Sequence, residues 1–307
     1  MEYKRTIRFQ YYRILCKRKG ENRKWGEYEP FNLVSWIISM DSSNKVQKTI
    51  EFNKTLARID CFSHDEDSDF WGIRFMKLRD TNIPTKVKEN KVAEAIELEE
   101  DEYIGEDVTL LYEKKSSIAM IQSNRFSLGI SRLEEFFTYT NNEENVKVYI
   151  EPIVMSNQIG RLKQCNFKSI DISFANLGAW TNTSDNQSLA SIISTVKRTG
   201  GLAGRISIGL GHTKKDTLDR VESQSIINEI FSNKRFIRSA KAKVREDDDT
   251  DVEIIDLFEE VYHDFLDFTL RSKAALEYRD AMLSMIYALK RRKSALYLAI
   301  DYHDEDD

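Results

Sequence analysis

Residues 105–137, GEDVTLLYEKKSSIAMIQSNRFSLGISRLEEFF, change their periodicity once, and that change narrows what the chain can fold into. Val108, Leu110 and Tyr112 stand two apart, as do Ile118, Met120 and Gln122. A period of two predicts two strands of a half-buried sheet. Lys114, Lys115, Ser116 and Ser117 between them predict a polar turn. After Asn124 the period lengthens: Ile130, Leu133 and Phe137 recur at helical spacing, with Phe136 beside them. A helix is therefore expected to follow the hairpin and pack on it. Ser131 and Glu134 have the spacing of a capping box. The stretch is a hairpin-plus-helix nucleus and carries no chemistry of its own.

The rest of the chain continues in the same manner. Strands are expected at 6–16, 49–62, 70–79, 146–155, 167–174, 205–210, 237–244 and 252–258. Helices are expected at 159–165, 189–196, 219–231 and, longest of all, 273–299, where Tyr278, Met282, Met285 and Leu289 share a face. Residues 31–40 read as a short buried helix or strand. The fold class is α+β: two lobes of mixed, mainly antiparallel sheet with packed helices and a long C-terminal helix. A polar, acidic join at 141–145 (NNEEN) divides an N-terminal lobe, 1–145, from a C-terminal lobe, 146–307, that ends in an acidic tail. Residues 86–107 read as an acidic connector.

Composition excludes several classes. No apolar run is long enough to span a membrane, and MEYKRTIRFQ lacks the apolar stretch of a signal peptide, so a cytoplasmic protein is expected, without membrane insertion. Cys16, Cys61 and Cys165 are odd in number and widely spaced, which fits neither a disulfide framework nor a zinc set. The net charge of −5 does not by itself indicate a nucleic-acid binder. Its distribution is more informative. Residues 196–245 hold twelve basic and four acidic side chains, whereas residues 246–307 hold seven basic and eighteen acidic ones. The basic stretch either neutralises itself against the acidic one or forms a face for phosphates. Residues 1–30 are also basic, with Tyr11, Tyr12, Trp25 and Tyr28 interleaved, and read as a base-stacking surface or as an edge strand with a buried aromatic face.

Signals for catalysis are weaker. The loop 63–68 (SHDEDS) lacks the glycine and terminal glutamate of an EF-hand and reads as a solvated turn. Asp107, Glu113 and Lys115 loosely match the D…ExK order of metal-dependent nucleases, at a hairpin turn where chance explains it. His212 and Asp216 lie four apart in a glycine-flanked loop. Gly200 to Gly211 lacks the order of a P-loop. No nucleophile–base set emerges, so a binding protein is expected rather than an enzyme, with no cofactor and no metal. Lys214 and Lys215 are placed at a loop tip after a strand. Arg235, Arg238, Lys241 and Lys243 lie along the next helix end and strand, and Arg205 opens the strand before the loop. These seven residues are the expected nucleic-acid-binding set.

Three pieces carry a family resemblance: Trp71–Gly–Ile–Arg–Phe75 with its acidic follow-on, the hairpin-helix 111–137 with Asn124–Arg–Phe126, and Gly209–Leu–Gly–His–Thr–Lys–Lys–Asp216. Together they resemble an uncharacterised bacterial domain-of-unknown-function family found on mobile elements and near phage-defence genes. A weaker likeness, in size and layout only, is to the DNA-binding effector of the Kiwa defence system. The resemblance implies an antiviral role and no catalytic set. The expectation is an antiviral accessory or effector protein that binds nucleic acid, DNA favoured, through a basic C-terminal face. A second defence-system protein and a homo-oligomer are the other partners considered. The alternatives are an oligomerising sensor or adaptor that binds a protein without nucleic acid, and a metal-dependent nuclease.

Overall fold

The computed structural model describes residues 2–20, 24–154, 162, 165–174, 177, 188–211, 217–233, 236–245, 252–257, 261–270, 272 and 274–302. The chain divides into two compact units, Met1–Glu151 with His263–Asp307, and Pro152–Tyr262. This differs from the expected pair of lobes: the division falls after 151, and the last strand and long helix belong with the N-terminal residues. The second unit is an insertion in the first. At its stem Val154 bridges Val261, and the Tyr262 N–H donates to the Ile153 carbonyl at 2.8 Å.

The first unit opens with β1 (Tyr3–Arg18), β2 (Glu29–Pro30), α1 (Leu33–Ser42) and β3 (Ile50–Phe52). It continues through β4 (Thr55–Asp65), β5 (Phe70–Arg79), the small ribbon β6 (Thr85–Lys86) and β7 (Glu94–Ala95), β8 (Ile104–Glu113) and β9 (Ile118–Gln122). Then come α2 (Ile130–Thr140) and β10 (Val146–Pro152). The second unit holds β11 (Asn166–Phe174), α3 (Ser188–Arg198), β12 (Gly204–Gly209), α4 (Arg220–Ser232), β13 (Ile237–Arg245) and β14 (Glu253–Asp256). The chain ends in the first unit with β15 (His263–Leu270) and α5 (Tyr278–Ala299).

The first unit is built on one sheet in the order β10-β1-β9-β8-β5-β4-β3, with β15 and β2 also paired to β1. The described pairings are antiparallel, and β1 is long enough to serve β15 along Tyr3–Gln10 and β9 along Phe9–Arg13. The stretch expected as one strand at 49–62 is two. Asn53 and Lys54 both have positive φ, 44° and 60°, and turn the chain between β3 and β4. Two consecutive left-handed residues match the right-handed twist of a tight hairpin.

The expected half-buried hairpin is buried on both faces. One face of the sheet carries α1 and α2, whose Trp36, Phe136 and Phe137 pack with Phe52 and Phe75. The Trp36 indole N–H donates to the Thr140 hydroxyl at 3.1 Å. The other face is crossed by α5, so the polar positions of β8 and β9 are interior as well. They are satisfied there: the Gln122 side-chain carbonyl accepts the Thr109 N–H at 3.1 Å. The capping box also fails to form. Gly129 is the N-cap of α2, Ser131 lies inside the helix, and Glu134 instead accepts the Ile150 N–H at 2.8 Å.

Helix α5 is fixed by contacts along its length. Near its start, Gly72 on β5 leaves the room that Met282 and the Tyr278 hydroxyl occupy; a Cβ at Gly72 would sit 2.6 Å from that hydroxyl. The Tyr278 and Ser63 hydroxyls hydrogen-bond at 2.8 Å. Further on, the buried Asp264 of β15 accepts from the Tyr11 hydroxyl at 2.7 Å and from Arg291 and Arg292 at 2.9 and 3.0 Å. The buried Glu113 accepts from the Lys293 ammonium at 2.9 Å, the Tyr297 hydroxyl at 2.8 Å and the Ser116 hydroxyl. Most of the basic run 290–293 therefore answers buried carboxylates rather than the helix dipole alone.

Candidate nucleic-acid interface

The second unit is a two-layer structure. Its sheet has the order β12-β11-β13-β14, and its described pairings are antiparallel. Alternation along β11 and β13 sends Phe167, Ile170, Ile172 and Phe174, with Ala240, Ala242 and Val244, to one face. That face packs on α3 and α4 through Leu189, Ala190, Ile193, Ile226, Ile227 and Ile230. Buried Glu229 of α4 ties the two helices together, its carboxylate accepting the Leu189 and Ala190 N–H groups at 2.9 and 3.2 Å. These are orphan donors at the start of α3, where negative charge is favourable. Asp219 caps α4 in the same way, accepting from the Glu222 N–H at 3.0 Å.

The opposite face of the sheet is polar, and its side chains fall into register. Arg205, Ser173 and Ser239 form one row across three strands. Ser207, Asp171, Lys241 and Asp256 form the next, and Gly209, Ser169, Lys243 and Ile254 the third. Arg245, opposite Asn166, continues the face beyond. Lys241 and Lys243 are two residues apart on β13, so their side chains leave the same face roughly 7 Å from each other. Arg205 lies 3.7 Å from Asp171, and Lys241 lies 3.3 Å from Asp256. Lys243 is exposed and forms no ion pair among the described residues.

Of the expected binding residues, Arg205, Lys241 and Lys243 thus share one open face. Arg238 is exposed at the irregularity where the register shifts between Ser173 and Phe174. Lys214, Lys215 and Arg235 lie outside the described residues, as do His212, Asp216 and the acidic run 246–251. The serine hydroxyls of the face, Ser169, Ser173, Ser207 and Ser239, were not among the expected residues, nor was Arg245. Their signal in the sequence is the alternation Ser169-x-Asp171-x-Ser173 against Ile170-x-Ile172-x-Phe174. Only the register between strands shows that it meets the lysines.

The other candidates separate. The tyrosines among the N-terminal cations are structural: Tyr11 and Tyr12 are buried, and Tyr28 packs edge-on to Tyr149 with Lys17 over its ring at 4.0 Å, whereas Trp25 is half-buried with Lys19 5.9 Å from its ring centroid. The D…ExK pattern is not assembled. Asp107 pairs with Arg74 at 3.5 Å and lies six residues from Glu113 along β8, roughly 20 Å away. His64 stacks on Trp71 at 4.4 Å and bonds Asp69 at 2.8 Å. No group of three or more metal-ligating side chains occurs among the described residues. The three cysteines are free thiols; burial, reinforced by Glu29, pushes Cys16 up to about 11. No described helix is long and apolar enough to cross a membrane.

No curated protein matches the chain. A family model does, over residues 1–295, and so takes in both units and nearly all of α5. The chain belongs to the family of unknown function DUF6731.

Proposed function

We propose that the chain binds nucleic acid through phosphate contacts on the open sheet face of its second unit, as an accessory or effector of antiviral defence. The observation that carries the binding reading is the row pattern: Arg205, Lys241, Lys243 and Arg245, with four serine hydroxyls, on a face left uncovered by α3 and α4. Cations and hydroxyls hold phosphates without reading bases.

Layout rather than net charge supports this. Residues 152–262 hold fifteen basic and fifteen acidic side chains, so the unit as a whole is neutral. Arg205 is 73% exposed and its partner Asp171 28%, and ion pairs exposed to this degree are worth about 0–1 kcal/mol, whereas Asp256 beside Lys241 is only 14% exposed. A phosphate therefore displaces Asp171, 3.7 Å from Arg205, at small cost, and Lys243 has no ion pair to give up among the described residues. The rows present no aromatic ring on which an unpaired base would stack, which favours duplex over single strands and DNA as the first ligand to test. The antiviral setting rests on the family resemblance described from the sequence.

Mobility-shift titration of duplex DNA at two salt concentrations tests the reading. Lys241→Glu with Lys243→Glu is expected to weaken binding at least tenfold. Lys214→Glu with Lys215→Glu is expected to act in the same direction. Lys86→Glu with Lys88→Glu, in the first unit, is expected to have no effect. Undetectable wild-type binding at low salt contradicts the proposal. Cleavage of the DNA on adding magnesium would move the chain to the nuclease class. A phage-plating assay with the same variants tests the defence setting separately.

One further observation favours an adaptor as the second reading. Leu283, Tyr287 and Leu298, exposed at 61, 71 and 81%, lie along one face of α5. Three large apolar groups on one helix stripe suit a protein partner. Loss of antiviral protection in Leu283→Lys with Tyr287→Lys, with DNA binding intact, would support that reading.

A further inference from the structure

A cavity of about 400 Å³ lies in the first unit, where three parts of the chain meet. The turn between β4 and β5 supplies Glu66, Asp67, Ser68 and Asp69. The neighbouring strand positions Phe70 and Glu113 form another part of the lining, and the β8–β9 turn adds Lys115. Helix α5 contributes Lys290 and Lys293. Pockets of this size take small molecules, and a few convergent polar groups set what they take.

The charges of the lining do not cancel. Lys293 pairs with Glu113 at 2.9 Å, Asp69 bonds His64 at 2.8 Å, and Lys115 has a partner of its own. Glu66, Asp67 and Lys290 form no ion pair among the described residues. Lys290 instead rests 6.0 Å from the centroid of the Phe70 ring. Two exposed carboxylates and one exposed ammonium of the lining therefore have no ionic partner among the described residues. Their complement carries two positive groups and one negative group on a small frame.

We propose that this cavity binds a free basic amino acid. Its carboxylate meets Lys290, and its α-ammonium and side-chain cation meet Glu66 and Asp67. Arginine fits this charge count well, because a guanidinium bonds a carboxylate through two parallel N–H groups. Buried Glu113 and half-buried Lys293, paired with each other, form a fixed polar wall that leaves this selectivity to the other three residues. The site lies in the first unit, so it stands or falls independently of the nucleic-acid reading.

Isothermal titration of the full chain with L-arginine and L-lysine tests it. Saturable binding is expected for at least one of them. Agmatine, which is arginine without its carboxylate, is expected to bind at least tenfold more weakly, as is the amino acid to Lys290→Gln. Glu66→Gln with Asp67→Gln is expected to abolish binding while thermal unfolding is unchanged. These positions are at the surface, so the folded state survives their substitution. The proposal is overturned by no saturable heat from either amino acid, by agmatine binding as tightly as arginine, or by unchanged binding in both variants.

Discussion

Asp264 shows how one side chain can govern a larger region and hide it from sequence reading. It is buried at 6% exposure on β15, while the adjacent Phe265 is 61% exposed. That inverts the usual alternation, in which the apolar residue points inward. The expected strands therefore omitted 263–270, although those residues pair with β1 along Tyr3–Gln10. Burial opposes the charge of Asp264, but hydrogen bonds from Arg292 and Tyr11, with the charges of Arg292 and Arg291, outweigh it and hold its pKa below the usual aspartate value. A depressed carboxyl pKa contributes stability above the unfolded value that is lost as pH falls through the folded one. Asp264→Asn is expected to cost roughly 2 kcal/mol at neutral pH, since hydrogen bonds to a charged group are lost. The gap in Tm between wild type and variant is expected to close on acidification below the usual aspartate range; a constant gap would contradict this account. Cys16 offers a second check at this scale. Its thiol, raised to about 11 by burial, is expected to resist iodoacetamide at neutral pH in the folded protein and to react readily in urea. Rapid alkylation of the native protein at neutral pH would contradict it.

Elements with unbroken periodicity were legible. The hairpin 108–122, the helix after Asn124 and the alternating β13 all formed where their apolar spacing placed them. Elements set by backbone conformation or by a neighbouring layer were not. The turn at Asn53 and Lys54 contains no glycine, and its positive φ angles suit asparagine far better than lysine. The interior polar groups of β8 and β9 read as a solvent face because the cover supplied by α5 lies far away in sequence. Two substitutions test this scale. Leu133, fully buried on α2, is expected to lose roughly 3 kcal/mol or more as Leu133→Asp, because an unpaired charge enters an aromatic core. An unchanged Tm would mean that α2 does not pack as described. Ser131→Ala, by contrast, is expected to change stability by less than about 0.5 kcal/mol, because Ser131 caps nothing. A loss near 1 kcal/mol, the usual worth of a cap, would restore the capping box.

At the scale of the whole chain, the division into units changes how its charge is read. The eighteen acidic residues of 246–307 do not act as one block, because residues 263–307 belong to the first unit. Within the second unit the nine acidic residues of 246–260 offset the excess of nine cations in 152–245, while strand register gathers Arg205, Lys241, Lys243 and Arg245 on one face. Composition revealed the basic stretch, and β13 could be predicted from its alternation. The pairing of β12 with β11, and hence the company Lys241 and Lys243 keep, depends on long-range register that local sequence does not encode. The most direct test is the salt dependence of duplex DNA binding. The logarithm of the wild-type binding constant is expected to fall linearly with the logarithm of salt concentration. In Lys241→Glu with Lys243→Glu that slope is expected to be shallower by roughly two, about one for each phosphate contact removed. Parallel lines for wild type and variant, or no wild-type binding at low salt, would contradict the assignment of this face to nucleic acid.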